Sequence, residues 1–328
     1  MDSRIPSAEE INSMAPQDYK VLENRLRRSA KGQGLRLEKS RARDPRAIGY
    51  GTYQLVDNRT NSIASSGLQS GYGLGLDDVA RFLFEDRGTT VATPTPVLYG
   101  VDLSNNNFGG PSNPNTAQIA PTFAKIQQEG FSWIEFKCSQ GGGANAFIDP
   151  YYSTAYQWCH ANNFPVVAYH FVTTDPAAEQ AQCCTSAVGT SGVPIMLDWE
   201  EEGGNWANYE AVYNAFIAAG INVRLQYIPQ WYWEEQGSPS LAGVTGLVSS
   251  SWVSGTGYAS VLYPGPTWAG WDSYGGATPV ICQFTNSAQV AGMTCDADAF
   301  QGTLSQLQTL LGITVTKLNI RDALIASC

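Results

Sequence analysis

A chain of 328 residues exceeds the size at which a single core keeps growing, so one large domain plus a smaller one is the expected organisation. Hydrophobic residues make up 43%, with 33 glycines and 9 tryptophans, as in a folded globular protein, and no apolar run approaches the roughly 18 residues of a membrane span. The net charge of −10 hides an asymmetry: residues 1–90 hold 14 of the 19 Lys and Arg against 12 of the 29 acids, while residues 91–328 hold 5 against 17.

The first 90 residues read as a small α+β module. "SAEE" at 7–10 is a capping-box pattern, and Tyr19, Leu22, Leu26 and Ala30 share one helical face before Gly32 and Gly34 end the run. "YGTYQLVDNRTNSIAS" (50–65) alternates as a hairpin about Asp57, Asn58 and Asn61, and "LDDVARFLFED" (76–86) reads as a closing helix capped by Asp77. From Lys20 to Arg46 there are ten basic residues and three acids, a density suited to an acidic partner or an anionic polymer; with no nucleic-acid motif in it, nucleic acid is not the expected ligand. The "MDSRIPSAEEINS" start shows no secretory signal pattern. "GTTVATPTPVLYG" (88–100) has linker composition, which puts a linker at 91–97.

From residue 98 short apolar runs alternate with amphipathic segments. "VLYGVDLS", "FSWIEFKCS", "FPVVAYHFV", "GVPIMLDWE" and "INVRLQYIP" read as parallel strands buried on both faces. Helices are expected at "DPYYSTAYQWCHANN" and "DPAAEQAQCCTSAVG", with Asp149 and Asp175 as caps, and at "NWANYEAVYNAFIAAG", closed by Gly220. Repeated strand and helix points to a (β/α) barrel, irregular after Pro229, where "GLVSSSWVS" and "TPVICQFT" leave little room for helices. The seven cysteines lack metal-ligand spacing and are expected mostly as buried small hydrophobes, with a Cys282–Cys295 disulfide as an open alternative.

In such barrels chemistry sits where strands end in loops. Asp102 ends the first strand, His170 the third, and Asp198 with Glu200 the fourth. Residues two apart on a strand share a face, so Asp198 and Glu200 enter one mouth while Trp199 faces away; Glu201 and Glu202 read as a solvated run. Crowded carboxylates raise each other's pKa, which keeps one protonated as an acid, and two carboxylates among aromatics suit glycoside hydrolysis.

The motifs "YGVDLSNNNF", "WIEFKCSQG", "FIDPYYSTAYQWCHANNFPVVAYHFV", "PIMLDWE" and "ICQFTNSAQVAGMTCDADAF" resemble, in order and spacing, those of glycoside hydrolase family 25, the lysozymes (N-acetylmuramidases) of bacteria and phages, over residues 98–312. The resemblance implies a (β/α)5(β)3 barrel cleaving the β-1,4 bond between N-acetylmuramic acid and N-acetylglucosamine, with peptidoglycan glycan strands as partner and no metal or cofactor. It implies Glu200 as general acid, Asp102 as nucleophile or stabiliser, Asp198 as the residue tuning the acid, and Asp296 as a further catalytic acid. Tyr169, His170, Lys137, Tyr227, Gln283 and Trp199 fall to substrate binding. Gln140 stands where the family has Glu, Cys282 where it has Trp, and Asp298 where it has Asn. The module at 1–90 is similar to small actinobacterial and mycobacteriophage modules, which makes a phage tail-associated or released lysin the expected setting, with other virion proteins as possible partners and no membrane. Residues 313–328 lie beyond the barrel pattern. A non-catalytic wall-binding or virion protein on the same barrel is the alternative; chitinase-type action lacks its strand motif.

Overall fold

In the computed structural model, which describes residues 10–11, 13–68, 71–84 and 96–313, helix α1 (Pro16–Gly32) buries Leu22, Leu26 and Ala30 as its periodicity requires. It starts on Pro16, whose fixed φ suits a first helical position; residues 7–9 of the expected capping box lie outside the described residues. Strands β1 (Leu35–Lys39), β2 (Tyr53–Asp57) and β3 (Ile63–Ser66) pair antiparallel in that order, the last two forming the expected hairpin. Helix α2 (Leu76–Phe84) carries Asp77 inside its first turn, and Asp78, not Asp77, accepts the Gly75 N–H. Helices and sheet enclose one small core around Leu26, Tyr53, Leu55 and Val79.

The larger unit opens with β4 (Val97–Leu103) and runs through α3 (Ile119–Gln128), β5 (Trp133–Gln140), the short β6 (Phe147–Ile148), α4 (Tyr152–Ala161), β7 (Val166–Phe171), α5 (Ala177–Val188), β8 (Ile195–Asp198), α6 (Trp206–Ala218), β9 (Val223–Tyr227) and α7 (Gln230–Glu235). It closes with β10 (Leu247–Ser250), a one-turn α8 (Ala259–Leu262), β11 (Ile281–Val290), β12 (Met293–Gln301) and α9 (Leu304–Leu311). Apart from β6, a short strand antiparallel to β5 outside the barrel, neighbours from β4 to β11 are parallel, β12 is antiparallel to both β11 and β4, and β4 pairs with β5, so eight strands close into a barrel. Five strand–helix units followed by three strands is the expected (β/α)5(β)3 arrangement.

Alternation along the strands separates two apolar layers. Tyr99, Val101, Ile134, Phe136, Leu197 and Trp199 face outward into the layer under the helices. Leu98, Trp133, Val167, Met196, Leu225, Ile281 and Phe300 fill the barrel interior, sealed below by Leu307 and Leu311 of α9. Gly100 makes this packing possible: a Cβ there would sit 2.1 Å from Trp133 Cε2. α9 itself is fixed by a capping box of Thr303 and Gln306 and ends on left-handed Gly312.

The module touches the barrel through Ile48, which is 3% exposed, belongs to the outer apolar layer and donates its N–H to the Glu129 carbonyl at 2.8 Å. The linker expected at 91–97 lies outside the described residues except for Pro96 and Val97, as does the extension at 314–328. Cys138, Cys159, Cys183, Cys184, Cys282 and Cys295 are free and buried. The Cys282–Cys295 disulfide is not formed: on the β11–β12 ladder Cys282 lies opposite Ala299 and Cys295 opposite Ala288, several rungs apart. Among the described residues no helix is long and apolar enough to cross a membrane.

Candidate active site

Above the apolar floor the interior positions turn acidic, because successive inward residues on adjacent strands are Asp102, Glu135, Asp198, Asp296 and Asp298. The register sets Asp296 opposite Asp102 across β12 and β4, and Asp102 opposite Glu135 across β4 and β5. Three carboxyls thus stand level on three neighbouring strands, spaced by the roughly 4.8 Å between strands. Asp298 lies one inward position below Asp296, level with Gly100 and Trp133.

Asp198 ends β8 and is 7% exposed; Oδ1 has no hydrogen-bond partner. Burial, then the Glu200 charge, holds its carboxyl well above the usual range, partly opposed by Lys137. Glu200 is pushed up in turn by burial, by Asp296 and by Glu201, again against Lys137. Burial raises Asp296 to about 6, and burial followed by Asp296 and Glu135 raises Asp102. Carboxyls so placed cannot all ionise at neutral pH, and protons are retained among them.

Lys137, inward on β5, is the cation beside this group. Burial lowers its pKa while Asp198, Asp149 and Asp102 oppose the fall, and its ammonium donates to Gln140 Oε1 at 2.5 Å and lies 4.8 Å from the Phe171 ring. Gln140, the neutral residue in a usual Glu position, therefore orients the lysine, and its own amide reaches Glu202 at 3.5 Å. Tyr169 bonds to Asp102, and Tyr227 donates to Gln283 Oε1 at 3.1 Å; burial raises both phenols.

Two expected substrate contacts are corrected by the packing. Trp199 is fully buried in the outer layer, donates its indole N–H to Gly203 and Gly204 carbonyls and packs against Trp206, Tyr209 and Tyr232, so no sugar reaches its ring. His170 is likewise fully buried, held between Ser139 at Nδ1 (2.8 Å) and Gln180 at Nε2 (3.2 Å), with burial lowering it to about 4. It is a neutral brace between β5 and α5. Gln283, 3% exposed, is a bridge: its Oε1 also accepts the Trp252 indole N–H at 3.0 Å.

Glu201 and Glu202 are exposed, as a solvated run should be. Asp149 accepts the Tyr151 and Asn105 N–H groups at 2.9 and 2.7 Å, which ties the turn before α4 to the loop after β4; it does not cap α4, which has no side-chain cap. Asp175 does not cap α5, which follows Pro176 without a side-chain cap; its carbonyl accepts the Gln180 amide at 2.7 Å, and its carboxylate accepts from the Gly142 N–H, Asn145 and Thr173, which clamps the loop after β5.

Sequence reasoning missed Glu135 and the half-exposed Trp252. Glu135 was findable, since Trp133, Glu135 and Lys137 share one face of "WIEFK" and an acid inside an apolar strand needs a reason. Among the described residues no group of three or more His, Cys, Asp or Glu side chains is disposed to hold a metal ion.

A closed barrel whose mouth gathers buried carboxyls with raised pKa values beside tyrosines is the arrangement that carbohydrate cleavage by an acid and a second carboxylate requires. Residues 112–293 match the family model described as glycosyl hydrolases family 25, and the chain belongs to that family, as a glycoside hydrolase of the muramidase type. Its fold is similar to that of the bacterial lysozyme from Streptomyces coelicolor, with 18% identity and a TM-score of 0.50 over 66% of this chain and 98% of that one. It is also similar to a glycosyl hydrolase 25 of Streptococcus pneumoniae, with 18% identity and a TM-score of 0.51 over 65% and 92% of the two chains. No curated protein matches the sequence.

Proposed function

We propose that the chain hydrolyses the β-1,4 bond between N-acetylmuramic acid and N-acetylglucosamine in peptidoglycan. The observation that carries this reading is Glu200 at the mouth, less buried than Asp198, its carboxyl raised by burial and then by Asp296 so that it holds its proton more firmly than an exposed glutamate. Glu200 donates its proton to the glycosidic oxygen as the bond breaks, and Asp102, braced by Tyr169, offers negative charge to the positive sugar ring that develops. Asp296 holds the acid's proton in place by like charge, and the Glu200 charge in turn raises Asp198. Lys137 limits that effect so the proton can still leave.

The basic module at 1–90 supports a docking role on an anionic wall polymer or on other virion proteins, and the phage setting follows from its resemblance rather than from the barrel. The direct test is mass spectrometry of peptidoglycan digested by the full chain beside Glu200→Gln. Fragments ending in reducing N-acetylmuramic acid, absent with the variant, support the assignment. No fragments, with protein retained on the wall, would put the wall-binding alternative in its place.

A further inference from the structure

Glu135 and Asp298 have no part in the mechanism above, yet both are 0% exposed inside the barrel. Glu135 Oε1 accepts the Trp133 indole N–H at 3.0 Å, while Glu135 Oε2 and both oxygens of Asp298 have no partner. A buried carboxylate with unpaired oxygens is costly, whereas a protonated carboxyl becomes an O–H donor that an adjacent carboxylate can accept. The register places such an acceptor on the strand next to Glu135: Asp102.

The groups around the pair come from every strand that faces it. β4 contributes Asp102, β5 Lys137, β7 Tyr169, β8 Asp198, β9 Tyr227 and β12 Asp296; β11 contributes Gln283, which lies opposite Asp298 and is neutral. Lys137 sits above Glu135 on the same strand face and gives its hydrogen bond to Gln140. The acidic row therefore has to settle its charge by sharing protons.

We propose that Glu135 and Asp298 are positioning residues for Asp102: they stay protonated below it, Glu135 donates its O–H to the Asp102 carboxylate, and the negative charge of the row is concentrated on Asp102. Burial raises Glu135 to about 7 and Asp298 well above the usual range, and with Asp296 and Glu135 it raises Asp102 as well, so the placing of the charge rests on the register and on the Tyr169 hydroxyl bonded to Asp102. Asp102 then meets substrate as an anion although it is surrounded by acids. This rests on the muramidase reading only for why Asp102 should be charged.

The test separates donor from charge. Glu135→Gln keeps a donor and removes titration; Glu135→Leu keeps volume and removes the donor. The Asp102 carboxyl is titrated by carbon-13 NMR, assigned by its loss in Asp102→Asn, and the acid limb of kcat/KM on soluble glycan is measured beside it. In Glu135→Gln both stay near their wild-type pH. In Glu135→Leu both move up by about one pH unit, the size of effect a lost hydrogen bond to a carboxylate has, with a tenfold loss of kcat/KM per pH unit below the limb. Equal positions in the two variants, shifted or not, overturn the proposal. If Glu135→Leu does not fold, Glu135→Met, which also lacks the donor, supplies the same comparison with Glu135→Gln. A wild-type chain that cleaves no glycan refutes the muramidase reading, while the NMR titration still decides the role of the pair.

Discussion

Glu135→Gln carries a stability prediction that can be worked through from the barrel interior. The ordinary glutamate pKa is 4.5, and burial raises that of Glu135 to about 7 in the folded chain. A raised carboxyl contributes stability that is fully present below the unfolded pKa and is lost as pH rises through the folded one, because above pH 7 folding must bury a charge that water would solvate. At about 1.4 kcal/mol per pH unit, the gap between 4.5 and about 7 is worth roughly 3 kcal/mol. Glutamine keeps an acceptor for the Trp133 indole and has no charge to bury. The variant should match the wild type at pH 4 and exceed it at pH 8 by about 3 kcal/mol, a rise of roughly 6 to 12 °C in melting temperature for a domain of this size. Thermal unfolding followed by circular dichroism at half-unit steps from pH 4 to 8 measures the difference. A melting difference that stays constant with pH would refute the reasoning, since it would show that Glu135 does not titrate differently on folding.

The other predictions follow from single contacts. Glu200→Gln should lower hydrolysis by about 10²- to 10⁴-fold with no loss of melting temperature, because only a proton donor is lost; a rate near wild type would remove Glu200 from the acid's role. Trp199→Ala should cost about 3–5 kcal/mol in urea unfolding, as a fully buried indole does, and a loss confined to KM would mean that its ring meets sugar after all. Gly100→Ala should fail to give a natively melting barrel, since its methyl would overlap Trp133; soluble protein with wild-type activity would show that the floor can move. Removing residues 1–95 uncovers the patch under Ile48 at a cost of about 2 kcal/mol and should leave a barrel that cleaves soluble glycan, which calorimetry and a reducing-end assay together check.

The barrel was readable because strands buried on both faces write long apolar runs, and "VLYGVDLS" through "INVRLQYIP" do so. β12 was not readable as a strand for the opposite reason: "TCDADAF" points acids inward at alternate positions, and an acidic interior resembles a solvated loop until the register with β4 is known. The short α3 went unmarked because no Asp-Pro start precedes it, as one does at 149–150 and 175–176. Trp199 and His170 show the limit of matching motifs. Alternation around Asp198 already turned Trp199 outward, and a polar residue near a strand end need not face the mouth, as the Ser139 and Gln180 bonds to His170 demonstrate. That Glu135 and Asp298 belong to one acidic row with Asp102 emerged only once the three strands were laid side by side.

The closure of the barrel has a consequence for synthesis. β4, near the start of the barrel, pairs with β12, near its end, and that seam brings Asp102 against Asp296. A ribosome that has released everything up to residue 290 has made Asp102, Asp198 and Glu200 without the strand that completes their enclosure. Catalytic competence should therefore arrive abruptly, with β12, so that a cell producing this chain is not exposed to a wall-cutting activity from copies that stop short of that strand.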